Sequence, residues 1–411
     1  MAIPSTNQTL FNRHYSFLID YTVNFQSLIA GHCSMSHLPF NKSSTVGKEL
    51  LYIAETLLQG QIAGDQLFTK KCQELLRQVT GTQRALLTTS CTHALEMSAL
   101  LLNLKPGDEV IVPSFTFVST VNAFILRGAK PVFIDSRPDT LNLDEKQLER
   151  LITERTKAIL PVHYAGVSCE MDAILKIANE HKIAVIEDNA HGLFGKYKGR
   201  CLGSLGVMAT QSFHETKNIT CGEGGALLIN DPCLIERAEI IREKGTNRSN
   251  FFRGQVDKYT WVDVGSSYVV SDVLAAFLFG QLEQHEQIQK RRKDIWESYD
   301  SGLQLWADNN GIKRPTVPKY CEQAYHMYYL VMPTLSTRQK FMGHLKEVGI
   351  NAVFHYQPLH ISPMGTKFGG KIGDCKVAEH AGDCLVRLPF FNSMTDEQVD
   401  RVIETAKVFA V

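Results

Sequence analysis

The sequence carries no surplus of either charge: Lys plus Arg and Asp plus Glu number 43 each over 411 residues. Without a basic excess there is no general attraction to nucleic acid or to an anionic membrane, so any anionic ligand must be met locally. Long apolar runs are missing too. The longest candidate, ALLLNL at 99–104, is far shorter than the roughly 20 residues needed to cross a bilayer. The ten cysteines (33, 72, 91, 169, 201, 221, 233, 321, 375 and 384) form no CxxC pair and no regular spacing. That pattern argues against a zinc site or a disulfide framework and fits a reducing cytoplasm. Internal repeats and low-complexity stretches are also absent.

A chain this long exceeds one ordinary core, which predicts two domains: a large one over 38–285 and a smaller α+β one over 286–411. Before them, FLIDYTVNFQSLIAGH (17–32) is interrupted by Asp20, Asn24 and Gln26 and lacks the unbroken apolar run of a secretory signal. Residues 1–37 read as an extension, with 1–34 dispensable and Met35 just ahead of the ordered pattern.

From 84 to 230, seven β-rich runs (RALLTT, DEVIVPS, KPVFID, KAILPVH, IAVIED, VMATQSF, GALLIN) alternate with amphipathic stretches such as MDAILKIANEH. Repeated strand–helix–strand alternation predicts a mostly parallel seven-stranded α/β sheet covered on both faces. Only ITCGEGG separates the last two runs. A connection so short joins antiparallel neighbours, because a parallel crossover takes a dozen residues or more. After about 270 one long charged helix is expected, SDVLAAFLFGQLEQHEQIQKRRKDIWESYDSGL.

Ligands of open α/β sheets collect at the carboxyl ends of the parallel strands. There the sequence places Ser90, Cys91 and Thr92 at a helix start, either an anion site or an ordinary cap. Phe115 and Phe117 follow the second run, as core or as a stacking face. His163 ends the fourth run, as a structural histidine or a ligand contact. Glu187, Asp188 and His191 end the fifth, where an acid must be paired to be buried. Lys217 follows the sixth, between SFH and the GEGG turn. Pyridoxal phosphate needs an anion cradle, a stacking face, a carboxylate for its pyridine nitrogen and a lysine to hold it as a Schiff base. Each requirement has a candidate here. Neither GxxxxGK[ST] nor a GxGxxG turn into a helix is present, so nucleotide-binding alternatives lack support.

The segments TTSCTHALEM, VPSFTFVSTVNAF, PVHYAG, VIEDNAHG, SFHETKN, GEGGALLIND, REKGTNRSNFFRGQVDKYTW and FHYQPLH resemble those of the DegT/DnrJ/EryC1/StrS sugar aminotransferases, from about Leu38 to the C-terminus. The resemblance implies a fold-type I pyridoxal-phosphate enzyme, a homodimer with interfacial sites. Its reaction would move the amino group of glutamate onto the 4-keto carbon of dTDP-4-keto-6-deoxyglucose, for surface polysaccharide biosynthesis. Lys217 would bind the cofactor covalently and Asp188 would pair with its pyridine nitrogen. His191 would approach its hydroxyl, Phe117 would stack on its ring, and Cys91, Thr92 and Ser212 would hold its phosphate. His163, Arg248, Arg253, Lys258 and His355 are candidate substrate contacts. Two departures stand out: Ser90-Cys91-Thr92 where many relatives have Ser-Gly-Thr, and Ser266-Ser267 where many place an asparagine that reaches across the dimer. Lys217 itself separates the chain from related dehydratases with histidine there. A different regiochemistry, or a non-catalytic protein on the same fold, stays open.

Overall fold

The computed structural model describes residues 37–410; the reading of 1–34 as dispensable falls outside them. The centre is a seven-stranded sheet built from β1 (Arg84–Thr88), β2 (Glu109–Pro113), β3 (Lys130–Ile134), β4 (Thr156–Ile159), β5 (Ala184–Asp188), β8 (Met208–Ser212) and β9 (Gly225–Ile229), in the order β1-β9-β8-β5-β4-β2-β3. Six of these strands point the same way, five of them paired in parallel, and β9 lies antiparallel between β8 and β1. The short glycine-rich connection therefore makes a hairpin.

Alternation along the strands sends successive side chains to opposite faces. Leu86, Val110, Val112, Ile186, Leu227 and Ile229 pack on one side with helices Cys91–Leu101, Ser119–Ile125 and Ile235–Arg242. Ala85, Leu87, Ala226 and Leu228 meet helices Leu67–Thr80 and Asp272–Leu282 on the other, where Ile111, Ile159 and Val185 cover helix Met171–His181. On β5 this parity puts Asp188 on the face of Ile186 and Glu187 on the face of Val185, a separation on which the site depends.

The expected long helix is two, Asp272–Leu282 and His285–Asn309. The first is apolar nearly all round and buried, whereas the second is amphipathic. Between them His285 Nδ1 bonds the carbonyl of Leu282 at 2.8 Å, satisfying one of the carbonyls that a helix end leaves open. The C-terminal unit has a three-stranded sheet, β11 (Tyr329–Val331), β13 (Leu385–Arg387) and β12 (Val353–Phe354), with β13 in the middle. Helices His285–Asn309 and Asp396–Lys407 pack over its core. Leu38 is buried in that core and bridges to Ile350, and Phe40 accepts a hydrogen bond from the Phe390 amide at 3.1 Å. We propose that the two units divide near 283–285, with residues 38–40 joining the second. A ribbon of β6 (Lys196–Tyr197), β7 (Arg200–Cys201) and β10 (Cys321–Glu322) links the two units.

Candidate active site

Helix Cys91–Leu101 begins where β1 ends, and its cap is Ser90, whose Oγ accepts from the His93 amide at 3.1 Å. Gly225 presses against this turn: a Cβ there would lie 2.3 Å from the Ser90 carbonyl carbon, so glycine is required by the close approach. Thr92 Oγ1 donates to Ser119 Oγ at 2.8 Å. Burial pushes the Cys91 thiol up to about 12, so it stays protonated and is no nucleophile at neutral pH. Free amides at the helix start, with Thr92 and the buried Ser212 at the end of β8, form a place for an anion.

Two neighbouring carboxylates at the end of β5 are handled in opposite ways. Glu187 accepts from the amides of Gly203, Leu205 and Gly206 at 2.8, 2.7 and 2.8 Å and from His163 Nε2 at 2.9 Å. Burial alone would raise its carboxyl, but these bonds and the adjacent histidine hold it below the usual range. Asp188 is 4% exposed and, among the described residues, its side chain accepts only from Thr120 Oγ1 at 2.7 Å and the Ala190 amide at 3.1 Å. No cation among the described residues forms an ion pair with it. A buried carboxylate left in that condition suits a cationic ring nitrogen.

Lys217 sits in the turn after β8, where its amide bonds the His214 carbonyl at 2.9 Å. Part of its side chain remains open to solvent, yet protein surrounds most of it, and this burial lowers its ammonium to about 8 against the weaker opposing pull of Cys91 and Asp188. It forms no ion pair among the described residues. A lysine in that state is half neutral in mildly alkaline solution and nucleophilic.

A wall of rings closes the site. His191 stacks on His326 with centroids 4.2 Å apart and 16° between planes. His326 Nδ1 bonds Asn218 Oδ1 at 2.8 Å, and Asn218 Nδ2 donates to the Ala324 carbonyl at 2.6 Å. Oδ1 must then accept, so His326 carries its proton on Nδ1. His355 Nδ1 lies 2.9 Å from the Tyr164 hydroxyl, and the Tyr164 ring contacts His191, His355 and Tyr356. Burial pushes His191, His326 and His355 well below the usual imidazole range, helped by the positive charges of Lys217 and Arg387. All three are neutral. A small cavity lined by Ala190, His191, Ser212 and Lys217 opens here; the wider groove around Lys70, Lys71 and Phe279 contains none of the strand-end residues.

Lys217, Asp188, Cys91, His191 and His355 thus lie within electrostatic or ring contact of one another, with Ser212 lining the same cavity as Lys217. Phe115 is core, edge-on to Tyr164 at 5.2 Å, while Phe117 is 55% exposed with Tyr356 at 6.2 Å. His163 needs correcting. It is 0% exposed, and Nδ1 accepts from the Cys169 amide at 3.2 Å while Nε2 donates to Glu187. Both ring nitrogens are committed inside the protein, so it supports β5 and does not face a substrate. Within the chain, Arg248 and Arg253 also turn elsewhere, to Glu243 at 3.6 Å and Glu239 at 2.7 Å. Lys258 is exposed. His326, Asn218, Tyr164, Tyr356 and Arg387 were missed, although Tyr164, Asn218 and Tyr356 stood inside motifs that drew attention, PVHYAG, SFHETKN and FHYQPLH.

Comparison with known proteins agrees with this geometry. Residues 45–407 match the DegT/DnrJ/EryC1/StrS aminotransferase family, and the chain belongs to it. The spore coat polysaccharide biosynthesis protein SpsC of Bacillus subtilis is 35% identical, over 90% of this chain and 96% of that protein. GDP-perosamine synthase of Caulobacter vibrioides is 33% identical over 87% and 94%. Among solved structures, Spr1654 from Streptococcus pneumoniae in its PLP form superposes with a TM-score of 0.83 at 28% identity, covering 90% of this chain and 98% of that one. The protein is therefore a sugar aminotransferase of this family.

Proposed function

We propose that the protein catalyses the reaction of a dTDP-4-amino-4,6-dideoxygalactose transaminase. Glutamate and dTDP-4-keto-6-deoxyglucose would become 2-oxoglutarate and dTDP-4-amino-4,6-dideoxygalactose, in the cytoplasm, for a surface polysaccharide. The cofactor is pyridoxal 5'-phosphate, which when bound acts as an electron sink for the carbon that loses or gains a proton. The observation that carries the reading is half-buried Lys217 and buried Asp188, neither in an ion pair among the described residues, beside an anion-binding helix start. The motif run from TTSCTHALEM to FHYQPLH supports the particular sugar.

Lys217 would hold the cofactor, and once released its neutral Nζ would take a proton from the amino donor's carbon and return one to the sugar's C4. Asp188, fixed by Thr120, would keep the ring nitrogen protonated. His191, held flat by His326, would donate toward the ring hydroxyl, because its Nδ1 accepts from the Ala165 amide at 3.4 Å and leaves the proton on Nε2. The helix start with Thr92 and Ser212 would hold the phosphate, and Cys91 would do so only through its backbone amide.

The exposed rings of Phe252 and Tyr259, both against Phe251, support a homodimer with interfacial sites, since clustered exposed apolar side chains mark interaction surfaces. Arg248, Arg253, Lys258, Ser266 and Ser267 would then serve the neighbouring subunit's site. NMR of the product formed from glutamate and dTDP-4-keto-6-deoxyglucose tests the assignment. The expected outcome is an axial amine at C4; an unchanged sugar, or an amine at another carbon, overturns it.

A further inference from the structure

Two arginines of the C-terminal unit, buried Arg292 and half-buried Arg387, have no acidic partner among the described residues. Arg292 has its charge solvated by the protein. It donates to the carbonyls of Tyr325 and His326 at 2.9 and 2.6 Å and to Asn392 Oδ1 at 2.8 Å, and it lies 4.7 Å from the centre of the Phe390 ring. Arg387 is different. Among the described residues its one hydrogen bond runs from Nη2 to the Phe354 carbonyl at 3.2 Å, its buried Nε has no acceptor, and the Phe40 ring lies 4.6 Å away. Burying such a donor unsatisfied is costly unless a ligand completes it.

The position of Arg387 says where that ligand would lie. On the central strand β13 it stands directly opposite Tyr329 of β11 and Val353 of β12, and cross-strand partners share a face. Its side chain therefore emerges beside Tyr329, whose ring is 5.7 Å from that of Tyr164. Tyr164 in turn contacts His191 and His355. The positive charge of Arg387 is also felt at Lys217, His191 and His326.

We propose that Arg387 binds a carboxylate of the amino donor, its free guanidinium edge completing the site from the C-terminal unit. This rests on the aminotransferase reading above. A donor amino acid carries its carboxylate on the same carbon as the transferred nitrogen, so when that nitrogen is at Lys217 the carboxylate lies close to it. The diphosphate of a nucleotide sugar hangs from C1, across the ring from C4, and falls further off. A guanidinium fork suits a planar carboxylate.

The test compares wild type with Arg387→Gln and Arg387→Lys, in cofactor-loaded protein. Calorimetry with glutarate, a dicarboxylate that cannot react, reads binding alone. Single-turnover release of one equivalent of 2-oxoglutarate per site from glutamate, without any sugar, gives the apparent KM and limiting rate of the donor half, and a parallel titration gives the affinity for the nucleotide sugar. Arg387→Gln should weaken glutarate and raise the glutamate KM about 10- to 100-fold, with sugar affinity unchanged, and Arg387→Lys should recover part of the loss. Unchanged glutarate affinity overturns the proposal, and so does a loss that falls on the nucleotide sugar, which would assign Arg387 to the diphosphate. If the Gln variant does not fold, the Lys variant decides by the same criteria. A wild type that releases no 2-oxoglutarate contradicts the aminotransferase reading, while the glutarate titration still judges Arg387.

Discussion

Glu187 and Asp188 are adjacent, both buried, both carboxylates, and the protein treats them as opposites. Glu187 is surrounded by three amides and a histidine, so its charge is answered within the fold. Asp188 faces the other side of the sheet with two side-chain hydrogen bonds and no paired cation among the described residues. A fully answered charge holds structure together. An unanswered one costs stability and is retained where a ligand will complete it. Lys217 repeats the second pattern on the same side of the sheet, and Arg387 repeats it from the C-terminal unit.

Four substitutions or titrations probe this contrast. Lys217→Ala should abolish covalent cofactor capture and slow amino transfer by at least about a thousandfold, read by borohydride trapping and 2-oxoglutarate release; a variant retaining a tenth of the rate would remove Lys217 from the chemistry. Glu187→Gln breaks a buried network and should cost about 3 kcal/mol of stability, seen in denaturant unfolding. Asp188→Asn keeps the size and the Thr120 contact, so it should leave stability nearly intact while weakening cofactor binding about 10- to 100-fold. Equal loss of stability in the last two variants would erase the distinction between the carboxylates.

The smallest effect concerns pH. With its ammonium lowered to about 8 by burial, Lys217 is protonated and inert below that pH and neutral above it. Capture of pyridoxal phosphate by the cofactor-free protein should rise about tenfold from pH 7 to 9 and then level off. A lysine with an ordinary value near 10.4 would rise about a hundredfold over that interval and keep rising.

Much of this site was legible in the chain. The period of the apolar runs announced the sheet, the short GEGG connection announced the β8–β9 hairpin, and the strand-end rule picked out Asp188, His191 and Lys217. Misreadings came where a local signal had two physical outcomes. His163 stands at a strand end like His191, but its neighbour is Glu187, and strand parity turns that pair into the structure. The charged run after 270 has helical character throughout and still breaks at 283–284, because its two halves bury different faces.

Residue type and local spacing determined which strands form, which stay antiparallel, and which side chains reach the end of the sheet, since those depend on backbone geometry within a few residues. Whether a charge at that end is answered or left open depended on other segments, 16 to 24 residues away for Glu187 and 68 for the Thr120 bond to Asp188, and the surrounding wall came from further still. The Asn218–His326 bond, the His191–His326 stack and the approach of Arg387 to Tyr164 all arise when the C-terminal unit closes over the strand ends. No local pattern encodes such meetings, because the cost or value of a buried charge is set by everything packed around it.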